Sequence, residues 1–155
     1  MALDADTVLN AVIQVLKDNT LTMAASLTTA TNVITIKAGD ARNAPLTTDA
    51  YPAILVQLMR ETETFAQLGQ RNNRHELEFA IVPLIYEGES AEASDKDVRV
   101  FTKNIKAVLK SGNNITLSGT ALYSLPENVD YFAADLNGAY CSGAVITLRT
   151  HHLST

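Results

Sequence analysis

The chain has 155 residues, is 46% hydrophobic and 19% charged, and carries a formal net charge of -5. That length and balance fit a single domain over residues 1–155, able to bury about two thirds of its unfolded surface, and they exclude a disordered chain. The acidic balance opposes a duplex-DNA or membrane-surface role, and a lone cysteine, Cys141, excludes an intrachain disulfide scaffold and points to a reducing compartment.

Met1 to Asp6 lack a basic start followed by an apolar run, so no export signal is expected, and no stretch of about 18 apolar residues predicts a membrane span. Val8, Val12 and Leu16, with Leu9 and Ile13 beside them, form one apolar stripe at helical period, which predicts a helix over residues 5–18. Asp4, Asp6 or Thr7 can cap its first amides, Lys17 suits its negative end, and Asn19 serves as a left-handed stop. Residues 20–50 are rich in Thr, Ala and Asn, with a strand expected only at Val33 to Lys37 before the Gly39-Asp40 turn. The rest of that stretch is read as an extended, irregular connection, or as a loop that orders on meeting a neighbour.

From Tyr51 the pattern changes. Ala53 to Phe65 and Arg74 to Tyr86 read as two long strands joined by the polar tip Gln67 to Asn73, a hairpin whose arm spans about residues 60–75. The proximal halves are apolar on both faces, whereas Arg60-Glu61-Thr62-Glu63-Thr64 alternates hydroxyls with charge, so the base is core and the tip an arm. Ser94-Asp95-Lys96-Asp97 reads as a helix cap, followed by Val98, Phe101, Ile105, Val108 and Leu109 at helical spacing up to Ser111-Gly112. Lys103, Lys106 and Lys110 gather toward the negative end of that helix, where a solvated face explains them. Strands are expected at 115–117, 121–125, 129–134 and 139–151, with Asn137-Gly138 as a hairpin turn. The expected class is α+β: an antiparallel or mixed sheet with a long projecting β-hairpin and helices packed on one face, in place of a doubly wound nucleotide fold.

A search for reactive chemistry yields no catalytic, cofactor-binding or metal-binding assignment. The glycines lack the spacing of a phosphate loop. Cys141 lies in the small-residue run Ala139 to Ala144, where buried packing is its expected role. His151 and His152 are adjacent on a strand, point to opposite faces and cannot readily chelate one ion, so solvated terminal histidines are expected. His75-Glu76-Leu77-Glu78 lacks the second histidine of a zinc helix motif. The arm is more informative. A hairpin register with paired numbers summing to 139 sets Glu61 against Glu78 and Glu63 against Glu76, four carboxylates on one face, whereas a shift of one residue removes the clash. The sequence leaves both registers open, and with them two roles for the arm: an edge protected by charge, or a contact in which Arg60, Glu61, Glu63, Arg71, Arg74, Glu76 and Glu78 meet charges on an adjacent copy.

Tyr51-Pro52-Ala53-Ile54-Leu55-Val56-Gln57, a polar arm, Glu76 to Tyr86, a helix, and the final run Ala139 to Arg149 together resemble the tail-terminator, or tail-completion, proteins of tailed bacteriophages. The resemblance spans most of residues 5–150 and rests on element order and apolar patterning. It implies a virion protein of the tail or neck, assembled in the host cytoplasm as a ring, commonly hexameric. Such a ring caps the finished tail tube and offers the head-completion or connector protein a joining surface, with DNA passing through it and no enzymatic activity or cofactor. A non-catalytic protein-binding or ligand-binding module of another assembly is the alternative reading of the residues.

Overall fold

A computed structural model describes residues 4–28, 30–65, 73–88, 91–121 and 123–154. Helix α1, Ala5–Lys17, starts where the Asp4 carboxylate accepts hydrogen bonds from the Asp6 amide and the Thr7 hydroxyl, each at 3.0 Å. It buries Val8, Val12, Val15 and Leu16, the stripe read from the sequence. The chain does not stop in a left-handed residue at Asn19: its φ is -130°, and it opens the short helix α2, Thr20–Met23. Strand β1, Thr35–Ala38, follows, and two 3-10 turns, Ala41–Asn43 and Thr48–Ala50, lead into β2, Ala53–Phe65. Strand β3 is Asn73–Tyr86, helix α3 is Ala91–Leu109, β4 is Tyr123–Leu136 and β5 is Ala139–Ser154.

The five strands form one mixed sheet in the order β1-β2-β3-β5-β4, with β1 parallel to β2 and the other neighbours antiparallel. The α-helices cover one face. Val12, Leu16, Phe101, Ile105 and Leu109 meet Ile54, Val56, Phe79, Ile81 and Ile146 there in the main core. A smaller core lies on the other face, where Ala44 and Tyr51 close over Ala53, Leu55, Leu84 and Cys141. This is the α+β class expected from the order of elements, and the base of the hairpin is apolar on both faces because it feeds both cores.

Several local expectations are corrected. Residues 20–50 do not run as an extended connection: Met23, Ala24, Val33, Ile36 and Ala44 are buried, and α3 latches the segment down. Buried Asp97 accepts hydrogen bonds from the Thr28 amide and hydroxyl at 2.9 Å, and Asn104 donates to the carbonyls of Met23 and Ala25. Those bonds come from 69 to 81 residues away, beyond the reach of a local pattern. Ser94 does not cap α3 but lies one turn inside it, its hydroxyl 2.9 Å from that of Ser142. Residues 115–117 are not a strand; they belong to a 3-10 segment, Gly112–Gly119, broken by left-handed Leu117 and Ser118. The strands expected at 121–125 and 129–134 merge into β4, interrupted by a bulge between Pro126 and Val129. At Asn137-Gly138 both residues take positive φ, 55° and 89°, which is what the two-residue hairpin turn into β5 requires.

Candidate functional site

The arm has a different construction from a bare hairpin. Strand β5 pairs with β3 as far as Asn73↔Ser154, and β4 pairs with β5 as far as Tyr123↔His151, so β2 is the outer strand of a multi-stranded extension. Two-stranded ribbons are marginal in water, and the added strands supply the backing. Strand β1 covers β2 only from Ala53 to Val56, and among the described residues no other strand lies along the outer edge of the rest of β2. Residues Met59 to Thr64 are exposed.

Register decides what the arm presents. The base pairs Val56 with Ile81 and Leu58 with Phe79, one residue displaced from the register that the arm adopts, and a bulge at Met59 absorbs the difference. The arm itself takes the one-residue shift: Arg60 faces Glu78, Glu61 faces Leu77, Thr62 faces Glu76 and Glu63 faces His75. The four carboxylates are therefore divided. Glu61 and Glu63 share the helix-covered face with Leu77 and His75, while Glu76 and Glu78 lie on the opposite face. Arg74 is exposed on that opposite face, and Arg71 lies outside the described residues.

On the open face, two rungs cross the extension. One runs Arg60, Glu78, Arg149, Leu125, and the other Thr62, Glu76, His151, Tyr123. Arg149 Nη2 lies 3.2 Å from Glu78 Oε1 and 3.6 Å from Glu127 Oε2, and this carboxylate pair raises the guanidinium pKa further above its ordinary value. His151 stacks on Tyr123 with ring centroids 4.3 Å apart, its Nδ1 3.4 Å from Glu76 Oε1. Between the rungs is a shallow cavity of about 220 Å³ lined by Arg60, Thr62, Glu76, Glu78 and Arg149. Alternating sign across neighbouring strands stabilises the extension by a few tenths of a kcal/mol to about 1 kcal/mol per pair while leaving the charges accessible.

The helix-covered face of the same extension is drier. His75 and His152 sit opposite each other and are both buried, which corrects the expectation of solvated terminal histidines: the strand carrying His152 is interior to the sheet. His152 Nδ1 lies 3.2 Å from the Thr120 carbonyl and Nε2 lies 2.7 Å from the Thr150 hydroxyl; burial pushes its pKa down. His75 Nε2 is 3.4 Å from Glu63 Oε1. Among the described residues, no group of three His, Cys, Asp or Glu side chains has the arrangement of a metal site.

Cys141 is fully buried in the smaller core, where burial raises the pKa of its thiol. A neutral thiol in that position packs instead of attacking. Sequence reasoning missed Glu127, Leu125 and Tyr123, which reach the arm only because the last hairpin folds back beside β3. It also missed that Val129 and Tyr131 of β4 face the cationic stripe of α3. The alternation of β4, Tyr123 and Leu125 against buried Ser124, was the available signal for the first group.

No protein-family model matches the chain, and no curated protein matches it.

Proposed function

We propose that the chain is a structural subunit that joins copies of itself edge to edge into a ring, terminating a phage tail tube and presenting the surface to which a head-completion or connector protein binds. The observation that carries this reading is the pair of sheet edges that have no strand neighbour among the described residues: the arm of β2 beyond Val56 on one side and β4 on the other. Exposed strand edges are usually blocked because they invite pairing, and a subunit built to associate leaves them open. Different edges on the two sides give a head-to-tail contact, which closes into a ring when the rotation divides the circle. Charged rungs on the arm add register and partner choice more than raw affinity. The likeness of Tyr51–Gln57, Glu76–Tyr86 and Ala139–Arg149 to tail-terminator proteins supplies the identity of the assembly.

The test is assembly of tail-tube protein with and without the chain, followed by electron microscopy of tube ends. The expected result is density capping one end of each tube and a halt to elongation. Tubes that elongate unchanged and carry no cap contradict the reading.

A further inference from the structure

Helix α3 and the edge strand β4 enclose an open groove of about 480 Å³. Its walls carry Arg99, Lys103, Lys106 and Lys110, and Val129 and Tyr131 form its apolar side. The four cations stand at helical intervals of four, three and four residues, so they form one stripe about 16 Å long. Three are exposed and Lys106 is half-buried, and none makes an ion pair among the described residues. A cation stripe with no ion pair among the described residues, on a chain of net charge -5, selects an anionic occupant. Beyond Arg99 and Tyr131 the groove continues toward Asp95 and Ala133, so its length suits a short extended segment.

Resting on the reading of the chain as a self-assembling subunit, we propose that this groove receives the arm of a neighbouring copy, with Glu61 and Glu63 set against the Lys103, Lys106 and Lys110 ammonium groups. Three observations favour that occupant. Glu61 and Glu63 are exposed and lie on one face of a strand, about 6.7 Å apart, close to the 4.5 and 6 Å axial steps of the lysines. They share the helix-covered face of their own sheet, so when sheets join side by side in the same orientation they point toward the α3 of the next copy. Finally, neither edge has a strand neighbour among the described residues, and their directions agree. Strand β2 runs antiparallel to β4 within the sheet, and lateral repetition places β2 of one copy antiparallel to β4 of the next. Residues 129–133 lie level with the base of β2, so successive copies are staggered along the strands by about seven residues, roughly 24 Å. Exposed ion pairs add little individually, so the apolar side at Val129 and Tyr131 supplies burial while the charges fix register.

Charge reversal with sedimentation analysis of the full chain tests this. Lys103→Glu with Lys106→Glu, and separately Glu61→Lys with Glu63→Lys, are expected to weaken self-association by at least about tenfold. The chain bearing all four substitutions is expected to regain it, because swapped charges attract again. Circular dichroism checks that each variant folds. On the wild type, concentration-dependent hydrogen-exchange protection at residues 60–65 and 129–133 is expected, and its absence overturns the proposal without any variant. An oligomer indifferent to both reversals overturns the groove contact and leaves the assembly reading standing. A wild-type chain that remains monomeric at about 0.1 mM, where a micromolar contact is saturated, both alone and with tail tubes present, overturns both. Binding of a 20-base-pair DNA duplex that is lost in the lysine variant while the oligomer persists assigns the groove to nucleic acid and overturns the proposal.

Discussion

The base and the arm of the same two strands differ in what their side chains do. At the base, Ile54, Val56 and Ile81 face the helices while Leu55 and Leu84 face the smaller core, so both sides of the sheet contribute folding energy. Past the Met59 bulge, β2 carries exposed Arg60, Glu61, Thr62 and Glu63, and the buried positions shift to β3 and β5, which lie inside the sheet. One continuous strand thus passes from a buried region that holds the fold to an exposed, charged region, and a one-residue bulge marks the border.

The sharpest way to break this comparison is to cut into the base. Phe79→Ala removes a fully buried ring from the main core and is expected to cost about 3–5 kcal/mol in urea unfolding; a loss under about 1 kcal/mol would place Phe79 outside the load of the core. A smaller effect comes from overfilling. An added Cβ at Gly143 would stand 2.6 Å from Phe132 Cζ and 2.9 Å from Leu84 Cδ2, so Gly143→Ala is expected to destabilise by roughly 1–3 kcal/mol. An unchanged urea midpoint would mean the smaller core is loose.

The helix-covered face of the arm should show a pH signature. The folded pKa of His152 is depressed by burial, so between that value and the ordinary 6.5 the unfolded chain holds more protons. Its contribution is complete above pH 6.5 and is lost as the pH falls toward the folded pKa, with a slope of at most about 1.4 kcal/mol per pH unit. His152→Gln is expected to flatten that part of the stability profile, and a profile equally steep in the variant would assign the titration elsewhere.

The arm should show the smallest effect on folding. Arg149→Met removes a partly exposed guanidinium from Glu78 and Glu127 and is expected to change stability by no more than about 1 kcal/mol. A loss of several kcal/mol would make the open-face rung part of the folding core and erase the contrast with the base.

What the sequence revealed follows the range of each interaction. The α1 stripe, the α3 stripe, the Asn137-Gly138 turn and the two-faced apolar base are written in neighbouring residues, and each is present. Residues 20–50 were misread because their order depends on Asp97 and Asn104 of α3, side chains that no local window contains. Hairpin register stayed open because a shift of one residue separates the arm carboxylates and still pairs apolar with apolar at the base, so neither criterion chooses. A bulge at Met59, which no local pattern signals, gives base and arm different registers, and the arm's register divides its four carboxylates between two faces. The groove was invisible for the same reason of range: the lysine stripe was legible, but Val129 and Tyr131 arrive beside it only through the sheet order.

Native mass spectrometry of the full chain over a concentration series, with and without tail tubes, addresses the central claim most directly. Association through unlike sheet edges predicts a discrete closed species, sharpened by tubes, and the resemblance to tail-terminator proteins implies six copies of the 16.7 kDa chain. A single 16.7 kDa species at every concentration, unchanged when tubes are present, would contradict it.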